Sequence, residues 1–270
     1  MSPTSPADSS TPGTGPAAAI ETRGLTKRYG DETAVSDLDL EIARGTVYGF
    51  LGPNGAGKTT TMRMLTTLTR PTSGTARVAG HDVTDRNAVT PHIGYLPEEP
   101  PIYDELSGRE QLEYVAGLRD LPKAEASERI ESLLERFDLL EDADKRIDAY
   151  SKGMRQKVGV IQAVLHEPAV AFLDEPTSGL DPRAARTMRD TIADLADQEM
   201  TIFLSTHILS VVDELADTIG VLHEGTLVAE GDPETLKSRA ETGESGSLED
   251  AFLEITDDSE AAVRGTEKRV

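Results

Sequence analysis

Gly52-Pro53-Asn54-Gly55-Ala56-Gly57-Lys58-Thr59-Thr60 is the most informative run of the chain. Its spacing is G-x-x-x-x-G-K-[ST], a loop that leaves a strand and opens a helix. Residues 47–51, Val-Tyr-Gly-Phe-Leu, supply the apolar strand before it. Residues 59–68 have the character of the helix after it, closed by Arg70-Pro71. Glycines let successive backbone N–H groups turn inward around phosphate oxygens, and the helix N-terminus adds a favourable dipole. Lys58 is then placed to neutralise the β- and γ-phosphates of ATP, and the Thr59 hydroxyl to ligate Mg²⁺.

Outward from the loop, apolar periodicity sets the architecture. Leu38, Leu40 and Ile42 alternate with Asp39 and Glu41, the period-2 pattern of a half-buried strand. Residues 75–79 predict another strand. From about 106 to 140 the character turns helical: Ile130, Leu133, Leu134 and Phe137 form one stripe, and Leu112, Val115 and Leu118 mark a helix before it. Strand–helix alternation then resumes, with helices at 151–165, from Pro182 (capped by Asp181) and at 208–216. Strands fall at 170–173, 201–204, 219–222 and 226–230. Such alternation predicts an α/β fold with a mostly parallel sheet covered by helices on both faces. The helical block reads as an insertion in that core. The expected organisation is a disordered tail over 1–18, one nucleotide-binding unit over 19–240 with its helical part at about 100–160, and a C-terminal tail over 241–270 carrying a short helix.

Composition narrows the function classes. The 270 residues hold 27 basic and 49 acidic side chains, a formal charge of -22. Such a field repels nucleic acid and anionic lipid, so no nucleic-acid partner is expected. There are no cysteines, which excludes disulfides and thiolate metal sites. No stretch approaches the ~18 consecutive apolar residues of a membrane span. The first sixteen residues, rich in Ser, Pro, Thr, Gly and Ala, are expected to be a disordered tail rather than a signal peptide. High acidity with few lysines and few aromatics suits a very salty cell interior. On this hypothesis the thermal midpoint should rise between low and molar KCl, and equal stability at both would sink the idea.

Other segments carry chemistry. Residues 170–175, Val-Ala-Phe-Leu-Asp-Glu, form a buried strand ending in two acids, which open onto the crevice where α/β sheets bind ligands. Asp174 suits Mg²⁺, directly or through water, and Glu175 suits polarising a water that attacks the γ-phosphate. Tyr150-Ser151-Lys152-Gly153-Met154-Arg155-Gln156 opens a helix with Ser and Gly, an anion-binding arrangement in which Ser151 also reads as a plain N-cap. Ser178-Gly179-Leu180-Asp181 follows the acidic pair, and Ser205-Thr206-His207 follows the next strand; a lone histidine there is more often structural than catalytic.

The order and spacing of these motifs resemble the nucleotide-binding domain of ABC transporters over roughly residues 20–230. The resemblance implies a P-loop NTPase with a RecA-like core, an N-terminal antiparallel β subdomain and an inserted α-helical subdomain. It makes residues 52–60 Walker A, 151–156 the signature, 173–175 the end of Walker B and 178–181 the D-loop. His207 becomes the switch histidine at the γ-phosphate, and Tyr29 the ring that stacks on adenine. Ser151, Lys152, Gly153, Met154, Gln156 and Asp181 join the nucleotide-binding set, on the side supplied by a second cassette paired head-to-tail. Glu98 stands where glutamine is usual and is expected to keep a Mg²⁺ or water-positioning role. Lys152 replaces the first signature glycine. The implied partners are a second nucleotide-binding subunit, identical or homologous, and a separate integral-membrane permease, whose coupling helix would enter the groove near residues 98–105. Residues 247–256, SLEDAFLEIT, are similar to the ending of an exporter branch that includes drug, antibiotic and sodium efflux. The expected protein is a cytoplasmic ATPase held at the inner face of the cell membrane through its permease. The alternatives are a non-transport ABC ATPase acting on ribosomes or chromosomes, or a regulatory nucleotide-binding module.

Overall fold

A computed structural model describes residues 18–196, 200–238 and 247–254. The tail expected over 1–18 therefore lies almost wholly outside the described residues, as does most of 241–270. The loop motif joins β3 (Val47–Leu51) to α1 (Lys58–Leu65), as its spacing predicts. Every residue of β3 is buried, because it runs through the middle of a six-stranded sheet. The other strands are β6 (Ile93–Leu96), β7 (Val170–Asp174), β8 (Thr201–Thr206), β9 (Thr218–His223) and β10 (Thr226–Gly231). Their order is β10-β9-β3-β8-β7-β6. All neighbours pair in parallel except the edge hairpin β9–β10. β7 and β8 are buried throughout and read as continuous apolar runs, as a sheet covered on both faces requires.

A second sheet is antiparallel, ordered β2-β1-β4-β5. It holds β1 (Ile20–Tyr29), β2 (Glu32–Ile42), β4 (Ser73–Val78) and the two-residue β5 (His81–Asp82). The alternating residues 38–42 thus belong here, in the N-terminal β layer the resemblance implied, and not in the parallel sheet. One apolar cluster ties this layer to α1 and to stacked aromatics of the central sheet. Within it the Tyr48 and Phe203 ring centroids lie 5.5 Å apart, and those of Phe50 and Phe203 5.1 Å.

Three helices stand between β6 and β7: α3 (Gly108–Leu118), α4 (Lys123–Arg136) and α5 (Lys152–Val164). A capping box between Ser107 and Glu110 starts α3. The stripe on α4 packs inward through Ile130 and Leu134 and continues into Phe137. Leu112 faces the same core, but Leu118 is 66% exposed, so the expected apolar face of α3 stops short of its last turn. After the short α2 (Arg86–Val89), β6 runs Ile-Gly-Tyr-Leu, too brief and too interrupted to read as a strand beforehand. Its Gly94 is required by packing: a Cβ there would lie 1.9 Å from the Ala163 carbonyl oxygen of α5.

The helix expected over 59–68 ends at Leu65. Thr66 closes it, and Thr67 takes a left-handed φ of 65°, which stops α-helix propagation before Pro71 is reached. The remaining helices are α6 (Pro182–Ala196), α7 (Leu209–Leu215) and α8 (Pro233–Ser238). Residues 248–254 are also helical, and Leu248 and Phe252 pack on a third cluster with Leu51, Val221 and Leu236. Ile255 and Thr256 lie outside the described residues. Among the described residues, no helix is long and apolar enough to cross a membrane.

Candidate functional site

A cavity of about 760 Å³ opens at the C-terminal edge of the parallel strands, where the loop of residues 52–57 leaves β3. The loop's shape depends on two glycines. Gly57 holds φ at 105°, and a Cβ there would lie 2.4 Å from the Ala34 carbonyl oxygen. Gly52 packs equally close beneath, with a Cβ position 2.4 Å from the Leu222 carbonyl oxygen. Backbone bonds fasten the loop from the side: Gly225 N donates to Ala56 O at 2.9 Å, and Ser36 N to Gly225 O at 2.8 Å.

Lys58 is the first residue of α1 and is buried. Its ammonium donates to the carbonyls of Gly52 (2.7 Å) and Pro53 (3.1 Å), bridging its own loop. It also stands 3.7 Å from Glu175 Oε1. Burial pushes the Lys58 pKa down, and the nearby charges of Glu175, Asp174 and Glu98 partly oppose that. The ammonium is thus pre-positioned in a poorly solvated place, where its attraction for phosphate is little screened.

The two acids at the end of β7 are held by the end of β8. Asp174 accepts from the Ser205 hydroxyl through Oδ1 and from Thr59 Oγ1 at 3.0 Å through Oδ2. Glu175 accepts from Thr206 Oγ1 at 3.0 Å, and its other oxygen lies 2.9 Å from His207 Nδ1, a contact that needs the hydrogen on Nδ1. Glu175 itself has φ of 49°, a left-handed backbone uncommon for a residue with a side chain. Its N–H still donates to Ser205 O at 2.9 Å, so the turn away from the sheet happens after the last ladder bond. The result is a carboxylate 7% exposed, fixed by a hydroxyl and an imidazole beside a buried ammonium. That arrangement suits accepting a proton from water next to a phosphate.

The cavity wall therefore brings together Tyr29, Asn54, Gly55, Gly57, Lys58, Thr59, Thr60, Glu98, Glu175 and His207 from the residues singled out in the sequence. Asp174 sits just behind, 2% exposed and bonded to Thr59. Ser151, Lys152, Gly153, Met154, Gln156 and Asp181 stand outside that wall. In this chain Ser151 caps α5, accepting from Met154 N at 3.2 Å, and Gln156 is buried. Asp181 caps α6, accepting from Arg183 N (3.0 Å) and Ala184 N (3.1 Å). Sequence reasoning missed Glu32, Thr33 and Ala34 at the start of β2 and the Glu224-Gly225 turn, all on the wall. It also left the hydroxyls of Ser205 and Thr206 without a task. Their signal was present as two hydroxyl residues beside His207 at a strand end.

A family model described as ABC transporter matches residues 35–178. A daunorubicin resistance ATP-binding protein of Streptomyces coeruleorubidus is 46% identical over 226 residues, covering 83% of this chain and 71% of that protein. A bacitracin transport ATP-binding protein of Bacillus licheniformis is 41% identical over 222 residues, covering 82% and 72%. The solved structure of an ATP binding subunit of an ABC transporter superposes with a TM-score of 0.79 at 31% identity, covering 88% of this chain and 99% of that one. A cavity built by a phosphate loop, two strand-end acids and a histidine, on a fold and sequence shared with these proteins, places the chain in the ABC transporter family as an ATP-binding, ATP-hydrolysing subunit.

Proposed function

We propose that this chain powers export, of a drug- or antibiotic-like cargo, through a separate integral-membrane permease at the inner face of the cell membrane. The drug-resistance and bacitracin-transport relatives and the C-terminal wording of residues 247–256 support the direction of transport. The observation that carries hydrolysis is the Glu175 carboxylate, held between Thr206, His207 and Lys58 at the mouth of the phosphate loop.

In this reading the loop N–H groups and Lys58 hold the β- and γ-phosphates, Glu175 takes a proton from the attacking water, and His207 orients Glu175 and reaches the γ-phosphate. Tyr29 offers its ring to the base. Mg²⁺ would be held by Thr59, Asp174 and Glu98, which fit it. The Thr59 hydroxyl gives its hydrogen to Asp174 at 3.0 Å and so keeps oxygen lone pairs for a cation, and Mg²⁺ takes few protein oxygens beside phosphate and water. Bound there, it would neutralise charge on the β- and γ-oxygens. Ser151, Lys152, Gly153, Met154, Gln156 and Asp181 act on the nucleotide of a paired second cassette, identical or homologous. ATP then closes the pair and hydrolysis reopens it.

Affinity capture of the full chain from its own cells, with identification of what comes down, tests the assignment. A polytopic membrane protein is the expected partner, and ribosomal or chromosomal proteins in its place would overturn it. Glu98→Gln should leave ATPase activity within about tenfold, or ~1.4 kcal/mol of barrier, since an amide oxygen can still face the metal or water. Complete loss would assign the acid a task of its own.

A further inference from the structure

The wall of the nucleotide cavity has a cation behind its aromatic residue. Tyr29 ends β1 and is 49% exposed, so its ring has a face for a ligand. The Lys27 ammonium stands over that ring, 4.9 Å from its centroid. Lys27 and Tyr29 are two apart on one strand, so they share a face of the sheet. The pairing with β2 shifts register between Lys27 and Arg28, an irregularity of the kind that re-aims side chains near binding sites. Tyr29 belongs to the cavity wall and Lys27 does not, so the ammonium touches the site only through that ring.

The cation is also anchored. Lys27 Nζ donates to the Arg70 carbonyl at 2.8 Å, in the loop that follows α1. That loop is pinned to β1 by Thr72 N donating to Thr26 O at 2.8 Å and Arg28 N donating to Thr72 Oγ1 at 3.0 Å. A hydrogen-bonded ammonium over one face fixes the ring's orientation. It also draws π density toward itself, so the opposite face repels the π cloud of a stacked base less.

We propose that Lys27 is a positioning residue for nucleotide binding, holding and polarising the Tyr29 ring from behind so that its cavity face stacks on the base of ATP. This rests on the reading of Tyr29 as the base platform. The effect belongs to binding of the base, so it should appear in KM and not in turnover.

Steady-state ATPase of the full chain tests it with four variants beside the parent. Lys27→Met is expected to raise KM for ATP about threefold to fivefold with kcat moving less than twofold. Lys27→Arg, which keeps a cation over the ring, should stay within twofold of the parent. Tyr29→Ala should raise KM by itself, and Lys27→Met added to it should change nothing further. Competition by inorganic triphosphate, which has no base, should be the same in the parent and in Lys27→Met. An unchanged KM in Lys27→Met, or an undiminished effect in the Tyr29→Ala background, would overturn the proposal, the latter by showing that the ammonium acts as a diffuse charge. A Tyr29→Ala protein with the parent's KM would instead bring down the base-platform reading, and this inference with it.

Discussion

Glu175→Gln should cut ATP hydrolysis by at least a hundredfold, about 2.7 kcal/mol of barrier, while ATP still binds. The amide has nearly the shape of the carboxylate and can still accept from Thr206, so the loop and the Lys58 bridge to Gly52 and Pro53 are retained. What is lost is the proton acceptor. The His207 contact changes as well, because an N–H that faced a carboxylate oxygen at 2.9 Å has no second oxygen to replace it if the amide nitrogen turns that way. Phosphate release and equilibrium ATP binding, measured on both proteins without detergent, check the split. Equal rates for parent and variant would remove hydrolysis from this site.

The second large effect is steric. Gly57→Ala places a methyl group 2.4 Å from the Ala34 carbonyl oxygen, at a φ of 105° that L-residues avoid. The obstacle is backbone, which cannot rotate aside, so the loop must open. ATP affinity should fall at least tenfold and the thermal midpoint should drop, with strain of about 1–3 kcal/mol before the clash is counted. Gly55→Ala is the matched control. Its φ of 85° is just as unusual, but no atom lies within 4 Å of its Cβ position. It should show the strain without the collision and bind ATP distinctly better than Gly57→Ala. Indistinguishable affinities for the two variants would mean that the Ala34 contact does not set the loop's shape.

The loop and the acidic strand end were legible because their chemistry is local. A strand, a turn and a helix start must be contiguous to present N–H groups to phosphate, and an acid pair at the end of an apolar run needs nothing distant to be recognised. Long helices with a clear stripe, such as α4, were legible for the same reason. Residues that meet only through sheet topology were not. Thr33, Ala34 and the Glu224-Gly225 turn arrive at the cavity from two different sheets, and nothing in their own neighbourhoods marks them. β6 was illegible because four residues with a glycine carry too little periodicity, and its strand state is imposed by pairing with β7. The end of α1 was misplaced because the obvious stop signal, Pro71, follows a quieter one at Thr67.

Ser205, Thr206 and His207 are consecutive, and each gives one contact to Asp174 or Glu175 on the neighbouring strand. The acid assigned to metal and the acid assigned to water are therefore adjusted together, by the alignment of two strands. The chemistry inherits the stiffness of the sheet: its tolerance for error is that of a β ladder, not of a surface loop. It follows that substitutions deep in β7 or β8, far from any nucleotide atom, can alter turnover by tilting one strand against the other. Tuning this enzyme one residue at a time at its mouth would leave that alignment untouched.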